Sequence, residues 1–307
     1  YEYNCDSASC HMETGKVQGR WAKHFGCKTG FDPGKRLHKH LRDAWRHSDV
    51  DSLLHIMQDD DPEETYHALF MQEAMEEAGI TSRILKGVDG LSWGPDGSVL
   101  DPDGDEIRWV WKTWAWETAL DQIREECGDD PDKLENYRPG ENRDHAPRLV
   151  DVLLRSDVMV YEPLWTLIPS NKAISPVLWS LFPEYPYLLE SAFELTASLR
   201  DKGYVVKPIV GRGGANIVMV DRNEHVVAET AGQFDNRDQI YQQLFSLPQA
   251  GPYHIQLSTF SAAGRYAAAC IRADESPVIT MNSDNIALRV VEDDYFPELL
   301  EDSQSSA

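Results

Sequence analysis

The sequence predicts an α/β protein whose later half adds enough strands to give it an α+β character, and three observations carry that expectation. Leu53–Met57 is a short apolar run followed by an acidic loop, a helical stretch opening on Pro62, and a second apolar run at Ser82–Leu85. Strand, loop, helix and strand in that order make an α/β unit, and such units place ligand groups in the loops after their strands. Tyr204–Ile209 and Ile217–Val220 are β-branched runs on either side of a loop holding Gly211, Gly213 and Gly214. From Val226 onward, further β-rich runs follow at 226–229, 240–244, 254–260 and 266–272.

Taken in order, Tyr1-Glu2-Tyr3-Asn4 alternates like a strand end, and turn and cap residues succeed it at Cys5–Ser9. Helices are expected from about Met12 to Phe25 and from Leu37 to Trp45. After the strand at Leu53–Met57, Pro62 suits the first turn of a helix, and Glu63 and Glu64 suit the positive end of its dipole. Gly79 ends it after Ala78. Asp96-Gly97 and Asp103-Gly104 mark turns. Within Trp109–Thr118, four tryptophans fall in the eight residues 109–116. They fill a core or line a substrate cleft with Glu117 and Thr118 facing the ligand. Gly128–Pro147 is charged and aperiodic and reads as an exposed loop. An apolar helical stretch follows the turn at Pro169 and reaches Phe182. The end of the chain, from Glu292, is acidic and expected to fray.

At 307 residues, with 41% hydrophobic and 10% aromatic residues, the chain can fill one large or two medium domains. A division at residues 1–150 and 151–307 is expected. The net charge of −23 repels nucleic-acid phosphates and suits either a cationic substrate or plain solubility. No window reaches the roughly 18 apolar residues of a membrane helix, and no signal peptide is present, so the expected location is the cytoplasm. Five scattered cysteines without a C-x-x-C pair fit reduced thiols there.

The glycine loop is the centre of the chemistry. Glycine lets the backbone approach a ligand and aim N–H groups at phosphate oxygens, and Lys207 on the preceding strand adds a positive charge. An ordinary hairpin with a solvated lysine has the same pattern. The loop is neither the Walker lysine loop nor the G-x-G-x-x-G of a dinucleotide fold. Glu2 and Asn4, two apart, would project from one face of a strand as hard oxygen ligands suited to Mg²⁺. With Lys172, these match the parts list of an ATP-using ligase, although composition and spacing alone point no further than a nucleotide enzyme.

Several runs go further. Tyr1–His11, His55–Asp59, Trp111–Thr118, Glu162–Thr166, Val206–Ile209, Ile240–Leu244 and Asp274–Ile279, in this order along nearly the whole chain, resemble the synthetase domain of the bifunctional glutathionylspermidine synthetase/amidase family. That family lies in the ATP-grasp superfamily, with trypanothione synthetase as a relative. The resemblance implies an ATP-grasp fold preceded by a substrate-binding α/β part. It also implies a reaction: ATP phosphorylates the glycine carboxylate of glutathione, and an amine of spermidine displaces phosphate. The substrates are then glutathione, spermidine and ATP with Mg²⁺, two ions by family pattern, and a homodimer is expected.

By the same resemblance, Glu2 and Asn4 are Mg²⁺ ligands, Ser7 and Thr118 contact glutathione, and Ser9 meets the transferring phosphate. Glu63 and Glu64 hold the spermidine ammonium groups. Lys172 and Lys207 bind ATP phosphates or adenine under a loop containing Gly213 and Gly214. Gln242, Gln243, Leu244 and Phe245 form the adenine pocket and hinge, with Gln256 nearby, and Arg272 sits by the reacting groups. Cys10, beside the implied glutathione site, is a small buried thiol or a partner for a mixed disulfide. The family places an Arg-x-Asp strand before the Tyr-Glu-Tyr-Asn run and an amidase domain before that. The chain begins after both, so a truncated start is expected. A ligase for another amine or peptide acceptor, and a nucleotide- or glutathione-binding domain without turnover, are the alternative readings.

Overall fold

The computed structural model describes residues 2–128 and 130–293. The chain divides into two compact units, one of Tyr1–Ser9 with Trp45–Phe245 and the other of Cys10–Ala44 with Ser246–Ala307. It is a mixed α/β protein with parallel and antiparallel sheets. Among the described residues, no helix is long and apolar enough to cross a membrane.

The first unit holds two sheets. In the parallel one, β1 (Leu54–Gln58) is central and fully buried, because His55 and Gln58 find partners while the remaining residues are apolar. Asp61 then caps α1 (Pro62–Ala78), its carboxylate accepting from the Glu63 N–H at 2.9 Å. Pro62 opens the helix, and Gly79 closes it at φ 91°. The chain returns as β2 (Ser82–Lys86) beside β1, and β3 (Trp109–Lys112) pairs on the other side. Next, α2 (Trp116–Cys127) leads on to β4 (Met159–Tyr161), which is parallel to β3. Met57, Val110, Trp114, Trp116, Leu149, Val152 and Val160 share one core cluster. Three of the four tryptophans, Trp111, Trp114 and Trp116, are thus buried.

The second sheet of this unit is antiparallel. It contains β5 (Ser191–Ala192), β6 (Tyr204–Pro208), β7 (Val218–Val220), β8 (Val226–Glu229) and β9 (Gln239–Gln243), in the order β8-β7-β6-β9-β5. The glycine loop therefore joins two adjacent antiparallel strands, β6 and β7. Gly213 and Gly214 both take positive φ, 53° and 68°, which a side chain would strain.

In the other unit, two long strands, Tyr253–Ala262 and Arg265–Asp274, form a ribbon flanked by Gln249–Ala250 and Asp284–Ile286. The expected helix from Met12 to Phe25 occurs as a π-helical segment, Glu13–Val17, that runs into an α-helix, Gln18–His24. Gly34 packs so closely here that a Cβ would fall 1.9 Å from the Thr14 carbonyl oxygen. Leu37–Trp45 is helical as expected.

Three expectations change. Among the described residues, Glu2–Asn4 pairs with no strand; the next N–H, that of Cys5, goes to the Ser170 hydroxyl at 3.0 Å instead of a ladder. The one-face argument for Glu2 and Asn4 thus loses its strand basis. Within the expected loop at Gly128–Pro147 lies a short helix, Pro131–Asn136, because Asp130 accepts from the Asp132 and Lys133 N–H groups and Pro131 sits at the first turn. The stretch toward Phe182 is interrupted at Asn171, whose ψ of 131° separates a turn at Leu167–Ser170 from a helix at Ile174–Leu181. The expected fraying at the acidic end falls almost wholly outside the described residues.

Candidate active site

The C-terminal ends of the parallel strands bring together three charged groups of the first unit, as the open α/β arrangement favours. Asp59 follows β1, Lys112 ends β3 and Glu162 follows β4. Lys112 and Asp6 form an ion pair whose side chains are 0% and 1% exposed. The Lys112 ammonium also donates to the Trp114 carbonyl at 2.9 Å and lies 5.1 Å from the centre of the Trp116 ring. The other Asp6 oxygen accepts from the Trp116 N–H at 2.8 Å, at the start of α2. Removal of two charges from water is costly unless their remaining hydrogen-bonding capacity is met, and here it is. The Trp116 indole donates to the Glu162 carbonyl at 2.9 Å, and the Glu162 carboxylate accepts from the Ser7 N–H at 2.9 Å. These bonds clasp the segment that carries Cys5, Asp6 and Ser7 onto the strand ends.

Beside that clasp is an acidic patch. Glu63 and Glu64 lie in the first turn of α1, Glu63 exposed and Glu64 half-buried. Burial pushes the Glu64 carboxyl above its ordinary value, against the pull of His67, the Thr113 hydroxyl and Arg212; Asp59 adds to the push. Glu117, in the first turn of α2, is likewise raised by burial and by Asp6, with Arg212 opposing. Two carboxyls so disposed gain from a cation that replaces water around them.

A second cluster meets the glycine loop. The Lys172 ammonium donates to the Gly211 carbonyl at 3.0 Å and stands 3.4 Å from the Glu2 carboxylate. Its backbone N–H bonds the Ile209 carbonyl at 2.9 Å, which ties residue 172 to the end of β6. Lys207, on β6, donates to the Gln242 side chain on β9 at 2.9 Å, and Gln242 reaches the Ser191 hydroxyl at 3.1 Å. Burial, together with the neighbouring Lys172, holds the Lys207 ammonium below its usual value, while Glu2 works the other way. Desolvation opposes ionisation of Glu2, but Lys172 and Lys207 outweigh it and keep its carboxyl below the ordinary range.

Of the residues expected at a site, Glu2, Lys172, Lys207 and Gln242 thus converge, Gly213 and Gly214 lie in the same loop as Gly211, and Ser7 is held by Glu162. Thr118 is exposed on the first turn of α2, and Asn4 and Ser9 are exposed on the N-terminal segment. Gln243 ends β9 and donates its N–H to the Glu190 carbonyl at 2.7 Å; the Leu244 N–H bonds the Gly203 carbonyl at 3.0 Å, and Phe245 is exposed. Gln256 and Arg272 belong to the other unit, directly opposite one another across its ribbon. There the Arg272 guanidinium donates to the carbonyls of Thr280, Met281 and Ser283 at 2.5, 3.2 and 3.2 Å.

A family model described as glutathionylspermidine synthase preATP-grasp matches residues 1–291. The chain belongs to that family. Within the glutathionylspermidine synthase family, it is 49% identical over 291 residues to the bifunctional glutathionylspermidine synthetase/amidase of Escherichia coli (strain K12), with 95% of this chain and 47% of that protein covered. It is 36% identical over 302 residues to the trypanothione synthetase of Crithidia fasciculata, with 94% and 44% covered. A putative acid–amine ligase of Haemophilus influenzae is 24% identical over 255 residues, with 81% and 60% covered. The chain thus spans about half the length of the first two relatives.

Asp6, Lys112 and Glu162 had no place among the expected site residues. A signal for Lys112 was present: a lysine in the middle of Trp-Val-Trp-Lys-Thr-Trp sits on a strand too apolar to be solvated, so it demands a buried acid. Nothing in the sequence says which of the 52 acidic residues answers it.

Proposed function

We propose that the chain belongs to the catalytic region of an ATP-grasp ligase that joins the glycine carboxylate of glutathione to spermidine. One observation carries the reading: the single segment Glu2–Ser9 runs from the lysine cluster at the glycine loop to the strand-end clasp beside the acidic patch. A phosphate donor at Lys172 and Lys207 and a polycation at Glu63 and Glu64, with Glu117 near by, would then share one stretch of chain, on which half-buried Ser7 and exposed Ser9 would meet the glutathione carboxylate between them. The names of the relatives support the substrates, since one is called a glutathionylspermidine synthetase and another a trypanothione synthetase.

In this reading the reaction begins with attack of a glycine carboxylate oxygen of glutathione on the γ-phosphorus of ATP, which releases ADP and forms an acyl phosphate. A neutral primary amine of spermidine then attacks the acyl carbon, phosphate departs with the former carboxylate oxygen, and the amine gives up its proton. The residues mainly position the substrates and neutralise charge. Lys172 and Lys207 hold phosphate oxygens. Gly213 and Gly214 let the loop close over the nucleotide, and Gln242, Gln243, Leu244 and Phe245 border its base. Ser7 and Thr118 hold glutathione, Ser9 faces the phosphate in transit, and Glu63 and Glu64 hold the polyamine.

Glu2, kept ionised by its lysine neighbours, fits a hard oxygen ligand for Mg²⁺, with Asn4 as a neutral companion. Bound there, Mg²⁺ would offset phosphate charge. The test is incubation of the protein in its full natural length with ATP, Mg²⁺ and glutathione, with and without spermidine. ADP and a glutathione–spermidine amide only when all are present supports the proposal. ADP with another amine alone would change the acceptor, and nucleotide binding without ADP under any combination would replace the ligase with a binding domain.

A further inference from the structure

Glu162 stands out among the residues that the proposed reaction does not use. It follows β4 and precedes Pro163, yet its φ is +62°, a region that L-residues seldom occupy and that costs of the order of 1–3 kcal/mol. Its carboxylate bonds the N–H of Ser7, itself at φ +59°. Two strained residues, 155 apart in sequence, meet in one 2.9 Å hydrogen bond. Strain of this kind persists only where surrounding contacts enforce it, and here they do. The Glu162 carbonyl is held by the Trp116 indole, and the residue before Ser7, Asp6, is held by Lys112 and the Trp116 N–H.

We propose that Glu162 is a positioning residue for glutathione, which by losing and regaining its own proton tightens and loosens its hold on Ser7 and so on the segment that presents Ser7 to the tripeptide. The inference rests on the reading that Ser7 meets glutathione. Burial lifts the Glu162 carboxyl to about 7. Lys112 from β3, the Ser7 N–H and a hydrogen bond from the Trp111 side chain pull it down, and Asp6 pushes it up. These groups act on it directly, and the proton therefore leaves within the neutral range. The ionised carboxylate accepts the Ser7 N–H in a charge-assisted bond, roughly twice as strong as a neutral one. Above neutrality the segment is held firmly in its left-handed conformation. Below it, the bond weakens and the segment samples other conformations, so less of the protein is ready to bind.

The test compares the wild type with Glu162→Gln, which keeps the size and the acceptor oxygen but cannot ionise. With saturating ATP and spermidine, the wild-type KM for glutathione should fall about fivefold between pH 6 and 8, the difference expected of a charge-assisted over a neutral bond. Glu162→Gln should show the weaker binding at every pH and no step, and the KM for ATP should not follow the step in either protein. A second readout needs no turnover: hydrogen exchange of the amides of residues 5–9, corrected for intrinsic rates. Protection should rise from pH 6 to 8 in the wild type and stay level in the variant. If no conjugate forms but protection still steps in the wild type alone, the grip of Glu162 stands and the glutathione reading falls. A glutathione step retained in Glu162→Gln, or wild-type protection that is flat with pH, overturns the inference; the latter can be measured even if the variant does not fold.

Discussion

Asp6 and Lys112, 106 positions apart, form an ion pair with neither side chain appreciably exposed, at 1% and 0%. The pair fixes the N-terminal segment to the junction of β3 and α2, and with it the place of Ser7. Lys112→Met leaves the Asp6 carboxylate buried without its cation, and should lower the unfolding free energy by about 3–5 kcal/mol. The double variant Asp6→Asn with Lys112→Met should recover most of that loss, because a buried pair replaced as a whole costs little. Urea unfolding of the four proteins in the cycle measures it. A single variant as stable as the wild type would mean that the pair is not closed to water.

Glu162 makes stability depend on pH in a defined direction. Its folded value of about 7 exceeds the 4.5 of an unperturbed glutamate, so between these values the folded state binds more protons than the unfolded one. The stabilisation is complete below the unfolded value and is lost as pH rises to about 7. The size is of the order of 3 kcal/mol. The wild-type Tm should therefore fall from pH 5 to 7 more steeply than that of Glu162→Gln. Parallel curves would contradict the burial of an ionisable carboxyl there.

Lys207 predicts a proton count. Burial and Lys172 hold its ammonium below the usual lysine value in the free protein, and nucleotide phosphates would raise it again. Above neutral pH, ATP binding should take up protons, increasingly so as pH rises, as seen by calorimetry in buffers of different ionisation enthalpy. Lys207→Ala should abolish the uptake and raise the KM for ATP about tenfold or more, the loss of a charge-assisted contact. Unchanged uptake and KM would remove Lys207 from the nucleotide site.

The two first-turn acids of α1 differ in exposure and should differ in effect. Glu64, half-buried beside Thr113 and Arg212, should raise the spermidine KM about tenfold when changed to Ala. Exposed Glu63 should give less than about threefold. The pair together should leave the KM for ATP unchanged. Equal changes in both constants would refute their assignment to the polyamine.

Local signals in the sequence carried much of the fold. Pro62, the acids after it and Gly79 bounded α1, since caps act on their own helix, and β-branched runs marked β6, β7 and β8. What the sequence hid was tertiary. Glu2–Asn4 alternates like a strand, but alternation cannot supply a neighbouring strand. The helix at Pro131–Asn136 was masked by its charge, although Asp130-Pro131 is a cap signal. At the site, the lysines and the glycine loop were legible because type and spacing reveal them. Asp6 and Glu162 were not, because what sets them apart comes from distant chain: Lys112 buries Asp6 from 106 positions away, and Glu162, in its left-handed conformation, meets Ser7 across 155.

The central claim, activation of a carboxylate as an acyl phosphate, is tested most directly by oxygen transfer. Glutathione labelled with ¹⁸O in its glycine carboxylate is turned over with ATP and spermidine, and the released phosphate is analysed by mass. The account predicts one ¹⁸O in the phosphate for each amide formed, with ADP as the other product. Unlabelled phosphate alongside amide formation, or AMP in place of ADP, would contradict it.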